Sequence, residues 1–254
     1  MMNRRKFIAG GAAALMTQQA FGASTDISRK KGWSGGNSQY QKAIGANWYY
    51  NWTPGGNESE IEFIPMIKGG FNVNDKSFNK VRSYKKATAL LGYNEPERSK
   101  QGNLSVEDGI KLWPKLVKLA EDKGLRLGSP APSSDTGGLR WLELFMDQVD
   151  DKDLRVDFIA VHWYGGTDAG QFENMIDRLS SKYRRPIWVT EFNGWSGTEE
   201  EHYDFLKDSL KFLERDRNVE RYAYFEPGKG KPHSLFKNDG SLTRMGELYR
   251  DAGK

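Results

Sequence analysis

The sequence predicts one α/β domain, a single (β/α)8 TIM barrel with a short or degenerate third strand. Three observations carry this expectation. The chain has 254 residues, close to the length of about 250 typical of one such barrel. Short apolar runs alternate with amphipathic stretches, the rhythm of βα units around a parallel sheet. Two of the apolar runs end on a glutamate followed at once by loop residues, and a barrel presents its chemistry at the C-terminal tips of its strands.

The elements follow in chain order. Residues 1–22 fit an export signal: Arg4, Arg5 and Lys6 precede an apolar stretch from Phe7 to Met16, and Ala20 and Gly22 offer small side chains for cleavage. The stretch is too short and too Gly-rich for a stable membrane span. An arginine pair ahead of Phe7 and Ile8 fits the twin-arginine type, with an ordinary secretory signal as the alternative. Either route takes the protein out of the cytoplasm, to the periplasm or beyond. Residues 23–44 read as a loose N-terminal extension, and residues 45–254 as the barrel.

Strand-like runs occur at 46–52, 62–67, 89–93, 125–130, 156–164, 187–190 and 221–225. Helical periodicity occurs at 106–123, 139–149, 170–183, 199–215 and 245–251. Seven strands are clear and a barrel needs eight. The gap falls between Lys68 and Ala87, where only a degenerate third strand fits. That count puts Glu95 at the end of strand four and Glu191 at the end of strand seven.

Composition narrows the chemistry. The formal net charge is +4, but Arg4, Arg5 and Lys6 lie in the export segment. Without them 35 basic side chains (38 less 3) face 34 acidic ones. A nearly neutral chain points to no nucleic-acid partner. With no cysteine and three scattered histidines, a thiolate nucleophile is excluded and a metal cluster is not expected. No cofactor is expected, and the chain is expected to act as a monomer. Aromatic residues make up 13 % of it, which suits either a bulky core or flat platforms for the apolar faces of sugar rings.

The candidate site follows from the strand tips. Asn94-Glu95-Pro96 closes the run from Ala89 to Tyr93, and Glu191-Phe192-Asn193-Gly194-Trp195 closes the run from Ile187 to Thr190. Two such carboxylates suit glycoside cleavage by an acid and a nucleophile. His162 and Tyr164 share one side of a third strand tip, while Trp163 points the other way, towards the core. One of the first two is expected to hydrogen-bond Glu191 and keep it ionised. Tyr50, Trp195 and Phe225 are candidate stacking platforms. Glu226, in Phe225-Glu226-Pro227, is a third strand-end carboxylate that touches a sugar hydroxyl or faces solvent. The Glu199–Glu201 run reads as the acidic first turn of a helix.

With WYYNW, EFIPMI, LLGYNEPE, GSPAP, DFIAVHWYG and WVTEF in this order, the chain resembles the glycoside hydrolases of clan A, most closely family 128, the β-1,3-glucanases. The likeness covers nearly all of residues 46–250. It implies Glu95 as general acid/base, Glu191 as nucleophile, and Asn94 as a ligand of the sugar 2-hydroxyl. It also implies retaining endo-cleavage of β-1,3-glucan. The carboxyls then stand about 5–5.5 Å apart, and like-charge repulsion raises one pKa, expected to be that of Glu95. Two alternatives remain open. One is hydrolysis or transglycosylation of another β-linked envelope or biofilm polysaccharide. The other is a carbohydrate-binding barrel without turnover.

Overall fold

The computed structural model describes residues 28–56 and 60–254, so the expected export signal at 1–22 lies outside the described residues. Strands and helices alternate in the order β1 (Lys31–Ser34), α1 (Ser38–Ala43), β2 (Trp48–Tyr50), β3 (Glu62–Phe63), α2 (Asp75–Ser83), β4 (Ala89–Leu90), α3 (Val106–Lys123), β5 (Arg126–Leu127), α4 (Thr136–Asp151), β6 (Ile159–Trp163), α5 (Ala169–Tyr183), β7 (Ile187–Phe192), α6 (Glu199–Arg215), β8 (Val219–Tyr224) and α7 (Arg244–Asp251). Six strands pair in the order β3-β2-β1-β8-β7-β6, and β4 pairs with β5. Every ladder is parallel. The ladders do not run unbroken around a ring. Isolated parallel bridges, Met66 to Leu91 and Gly128 to Phe158, join the two sheets on either side.

The eighth strand is not where spacing places it. Residues 68–87 hold a 3-10 turn at Gly70–Asn72 and helix α2, and no strand. The missing strand is β1, inside the segment expected to be a loose extension, paired with both β2 and β8. Its Lys-Gly-Trp-Ser sequence hides it. Gly32 is needed because a Cβ there would lie 2.2 Å from the Trp48 indole. Lys31 is 2 % exposed yet keeps its charge solvated by protein, donating from Nζ to the carbonyls of Tyr249, Arg250 and Ala252 at the end of α7. The third strand is indeed short, but it is Glu62–Phe63. Glu95 lies in the turn that follows strand four, and Glu191 is the last residue but one of strand seven, at its end as expected.

The helices start and stop on local chemistry. Ser105, Asp135, Asp168 and Thr198 cap α3, α4, α5 and α6 by accepting from backbone N–H groups of the first turn. At α6, Thr198 and Glu201 form a reciprocal capping box, so the Glu199–Glu201 run is the acidic helix start it looks like. Gly124 ends α3 in the left-handed conformation.

Side-chain alternation along the strands divides the core into two layers. One cluster faces the helices and holds Tyr49, Phe63, Leu90, Ile159, Val161, Val189 and Tyr222, with Trp163 stacked on Phe172 of α5. The other fills the space inside the strands with Trp48, Trp188 and Phe158 against Ala89, Ala160 and Ala223. Phe158 stacks on Trp188 at 4.1 Å and Trp48 lies 5.5 Å from Trp188. Much of the aromatic content is therefore a packed floor, and the site lies above it. Among the described residues no helix is long and apolar enough to cross a membrane.

Candidate active site

Glu95 and Glu191 line one cavity of about 520 Å³, with Trp52, Lys68, Arg98, Gln101, Tyr164, Trp195 and Phe225. A larger cavity of about 690 Å³, lined by Lys80, Lys85 and Lys86 among others, has no carboxylate in its described wall.

Different backbone devices deliver the two acids. Glu95 sits at φ +38, in a left-handed conformation costly for a residue with a Cβ. Its N–H donates to Ala131 O at 2.7 Å, and Asn94 bridges Ala131 beside it. The turn is thereby tied to the segment after β5. Glu191 depends on a register slip. Strict alternation from the inward Trp188 would turn Glu191 outward. The pairing instead runs from Val161–Val189 to His162–Glu191, skipping Thr190. A slip of one residue reverses the face, so Glu191 points into the cavity and Phe192 into the outer core.

His162 joins the pair. The ring is buried, with Nδ1 3.1 Å from Glu95 Oε1 and Nε2 3.3 Å from Glu191 Oε1. The first contact is a hydrogen bond. The second is a charge contact off the line of one. The two carboxylates thus meet opposite edges of one imidazole. Burial disfavours the imidazolium, but the flanking charges of Glu191 and Glu95 raise the His162 pKa above its ordinary value. Burial likewise pushes Glu95 up, but the hydrogen bond and charge of His162, then the charges of Arg98 and Lys68, hold its carboxyl below the usual range. This corrects the expectation of a raised Glu95. Both shifts favour the charged form of each partner, imidazolium against carboxylate.

Glu191 is held by neutral donors. Tyr50 donates its hydroxyl to Oε1 at 2.7 Å, Trp52 donates its indole N–H to the same oxygen at 2.8 Å, and Tyr164 donates to Oε2. Burial, then the charge of Glu191, keeps both phenols far above their ordinary pKa, so each stays a donor. Tyr164 makes the expected hydrogen bond to Glu191. Tyr50 is not the expected stacking platform: it is fully buried and orients the carboxylate instead of offering a face to a ring.

Of the remaining candidates the cavity takes in Trp195 and Phe225. Trp195 is 59 % exposed at the rim, with φ +61 and its N–H bound to Asn193 Oδ1 at 2.6 Å. Phe225 and Trp195 each pack edge-on to Tyr164 at 5.6 Å, and Phe225 also meets Trp52. Asn94 is buried, with Oδ1 free of any partner among the described residues. Glu226 does not join them. It accepts from Ser234 Oγ and from the backbone N–H groups of Leu235 and Gly228, and so ties down the loop after β8.

Sequence reasoning missed Trp52, Lys68, Arg98 and Gln101. Trp52 had a signal: it follows Tyr50 by two residues within the strand-like run 46–52, which puts both on one side. Trp52, Glu95 and Trp195 all have positive φ without being glycine. Such strain gathers at functional sites.

Residues 22–249 match the family described as glycosyl hydrolase catalytic core. An endo-β-1,3-glucanase of glycoside hydrolase family 128, subgroup I, from Amycolatopsis mediterranei, solved with laminaritriose, is 33 % identical. The likeness covers 89 % of this chain and 100 % of that one, with a TM-score of 0.77. A subgroup II endo-β-1,3-glucanase from Sorangium cellulosum is 28 % identical over 88 % of this chain and 98 % of its own, with a TM-score of 0.77. Alkali-sensitive linkage protein 1 of Schizosaccharomyces pombe is 31 % identical over 226 residues, 81 % of this chain. The match spans 40 % of the length of that relative.

Proposed function

The chain belongs to the glycosyl hydrolase catalytic core family, within glycoside hydrolase family 128, and on that premise we propose that it hydrolyses internal β-1,3-glucosidic bonds with retention of configuration. One observation carries the reading: Glu95 and Glu191 enter one cavity and meet opposite edges of the same imidazole.

The residues divide the work. Glu191, oriented by Tyr50, Trp52 and Tyr164, attacks the anomeric carbon as a carboxylate. Those three donors already fit its ionised form, so little reorganisation accompanies attack. Glu95 protonates the leaving oxygen. Its proton comes from His162 across the 3.1 Å hydrogen bond. A bound sugar expels water from the cavity, and a drier site disfavours the separated charges of imidazolium and carboxylate. The neutral pair, with the proton on Glu95, then becomes the better one. After the leaving chain departs, Glu95 deprotonates the incoming water. Asn94 Oδ1, buried and without a partner among the described residues, accepts from the sugar 2-hydroxyl in this reading. Phe225 and Trp195 supply apolar surface for the rings bound on the Glu191 side.

The names of the relatives support β-1,3-glucan as substrate and endo action as its mode. The charged and apolar start of the chain supports export, which brings the enzyme to a polymer outside the cell. The test is product analysis on β-1,3-, β-1,4- and β-1,6-glucans by the parent and by Glu191→Gln. The parent should cut β-1,3-glucan to a ladder of oligosaccharides. Glu191→Gln should still bind them with turnover reduced by about 10⁴-fold or more. A parent inactive on β-1,3-glucan but active on another linkage would overturn the substrate, and one inactive on all would leave a binding barrel.

A further inference from the structure

The cavity has two unlike walls. Trp52, Tyr164, Trp195 and Phe225 form an aromatic wall attached to Glu191 by hydrogen bonds and ring contacts. On the Glu95 side stand Lys68, Arg98 and Gln101.

The backbone that carries this polar wall is locked. Asn94 N–H donates to Lys68 O at 2.9 Å, and Gly102 N–H donates to Asn94 O at 2.9 Å. A Cβ on Gly69 would lie 2.6 Å from Gly102 O, so the two loops touch backbone to backbone. Lys68 and Gln101 are thus delivered from either side of Asn94, on segments with little freedom to shift. Their polar ends are unspent. Arg98 is engaged by Asp135 and by Glu97. Lys68 Nζ has no ion pair or hydrogen bond among the described residues. Gln101 has one side-chain bond there, Oε1 accepting from Asn94 Nδ2 at 3.5 Å, and its amide N–H groups remain available.

In double displacement the anomeric carbon faces the nucleophile, and the glycosidic oxygen, carrying the departing chain, faces the acid. The departing chain therefore runs along the Glu95 wall. Resting on the assignment of Glu95 and Glu191 above, we propose that Lys68 and Gln101 form the leaving-group subsite, with Lys68 donating to hydroxyls of the departing glucosyl unit. The same subsite takes the acceptor in the reverse sense. A sugar hydroxyl that displaces Glu191 from the glycosyl-enzyme passes its proton to Glu95, and Glu191 leaves as the carboxylate.

The test compares the parent with Lys68→Met, which keeps the aliphatic stem, and Lys68→Arg, which keeps the charge. Each is given laminari-oligosaccharides and a 2,4-dinitrophenyl β-laminaribioside, whose aryl group needs neither a proton nor a sugar subsite to depart. For Lys68→Met, kcat/KM on oligosaccharides should fall about tenfold further than on the aryl donor, the loss of one charge-assisted hydrogen bond. Transfer to added laminaribiose should fall with it relative to hydrolysis, and Lys68→Arg should recover most of both. Equal losses on the two donors would overturn the subsite. So would an acid-limb shift in the pH profile with an unchanged ratio of transfer to hydrolysis, because Lys68 would then act only through the charge it places near Glu95. A parent that turns over neither donor removes the hydrolase reading itself, and this proposal with it.

Discussion

Trp52 Nε1 stands 2.8 Å from Glu191 Oε1, although Trp52 lies beyond the end of β2 and holds a left-handed backbone to reach it. The same oxygen takes the Tyr50 hydroxyl. Two neutral donors thus converge on one carboxylate oxygen and fix the direction in which Glu191 presents the other.

Trp52→Phe keeps a ring in the wall and deletes the N–H. The loss of one hydrogen bond to a charged group is about 1.5–3 kcal/mol, so kcat/KM should fall by roughly 10- to 100-fold. The KM for laminari-oligosaccharides should change much less. Steady-state kinetics on a defined oligosaccharide decide it. A pure KM effect would make Trp52 a sugar platform and not an orienting donor.

In the proposed mechanism the His162 ring sets the pH dependence. Its folded pKa is raised and that of Glu95 is lowered. Their contributions to stability run in opposite senses. That of His162 is complete below its unfolded pKa of about 6.5 and is lost as pH rises through the folded value. That of Glu95 is present above its unfolded pKa of about 4.3 and is lost as pH falls through its folded value. The charged pair persists between these limits. Activity on the alkaline side ends when the pair gives up its last proton, which it does jointly, so that limb of kcat/KM should lie above about pH 6.5. His162→Gln should move the limb to lower pH and cost about 10²-fold at neutrality. An unmoved limb would show that the proton is stored elsewhere.

How far the sequence carried this picture depends on the element. The tips at Glu95 and Glu191 were legible because each apolar run stops abruptly at a charge. The order of strands four and seven survived a wrong choice of the missing strand. β1 was illegible, since the Lys31 side chain runs to the end of α7 and Gly32 makes room for Trp48, and neither contributes an apolar signal. The inward turn of Glu191 was equally hidden. It rests on a slip at Thr190 in the pairing of β6 with β7, which arises between two strands and not within one. Tyr50 looked like a platform because an aromatic at a strand tip is ambiguous until its neighbours are known. Glu226 looked like a site carboxylate for the same reason, and its partners lie in its own loop.

His202 and His233 stack with ring centres 4.4 Å apart, both buried. Burial lowers both pKa values, that of His233 to about 4, with the charges of His202 and Lys231 adding to the effect on His233. The Glu201 charge opposes the shift at His202 without cancelling it. The unfolded chain takes up these protons near pH 6.5 and the folded one only at lower pH, His233 near pH 4, so stability should fall as pH drops below about 6.5. Urea midpoints measured from pH 7.5 to 4.5 should decline, and His202→Phe with His233→Phe should flatten the decline. A slope unchanged in the double variant would assign acid sensitivity to other groups.

Lys30 and Lys31 point to opposite sides of β1, and each closes a helix end. Lys30 Nζ donates to the carbonyls of Leu213, Glu214 and Asp216 at the end of α6. Lys31 Nζ donates to the carbonyls of Tyr249, Arg250 and Ala252 at the end of α7 at 3.1, 2.6 and 3.1 Å. The last carbonyls of a helix have no partner of their own and carry its negative end, so a buried ammonium satisfies both demands at once. Lys31→Met fills the same space and leaves three carbonyls without a donor. It should lower stability by about 2–4 kcal/mol, the range for buried polar groups stripped of a charged partner. Urea denaturation should show a lower midpoint at unchanged slope. Turnover of β-1,3-glucan below the transition should stay at the parent value, because Lys31 touches neither carboxylate nor cavity. A midpoint equal to that of the parent would mean that water replaces the ammonium at the end of α7, and that β1 is held by its ladders with β2 and β8 alone.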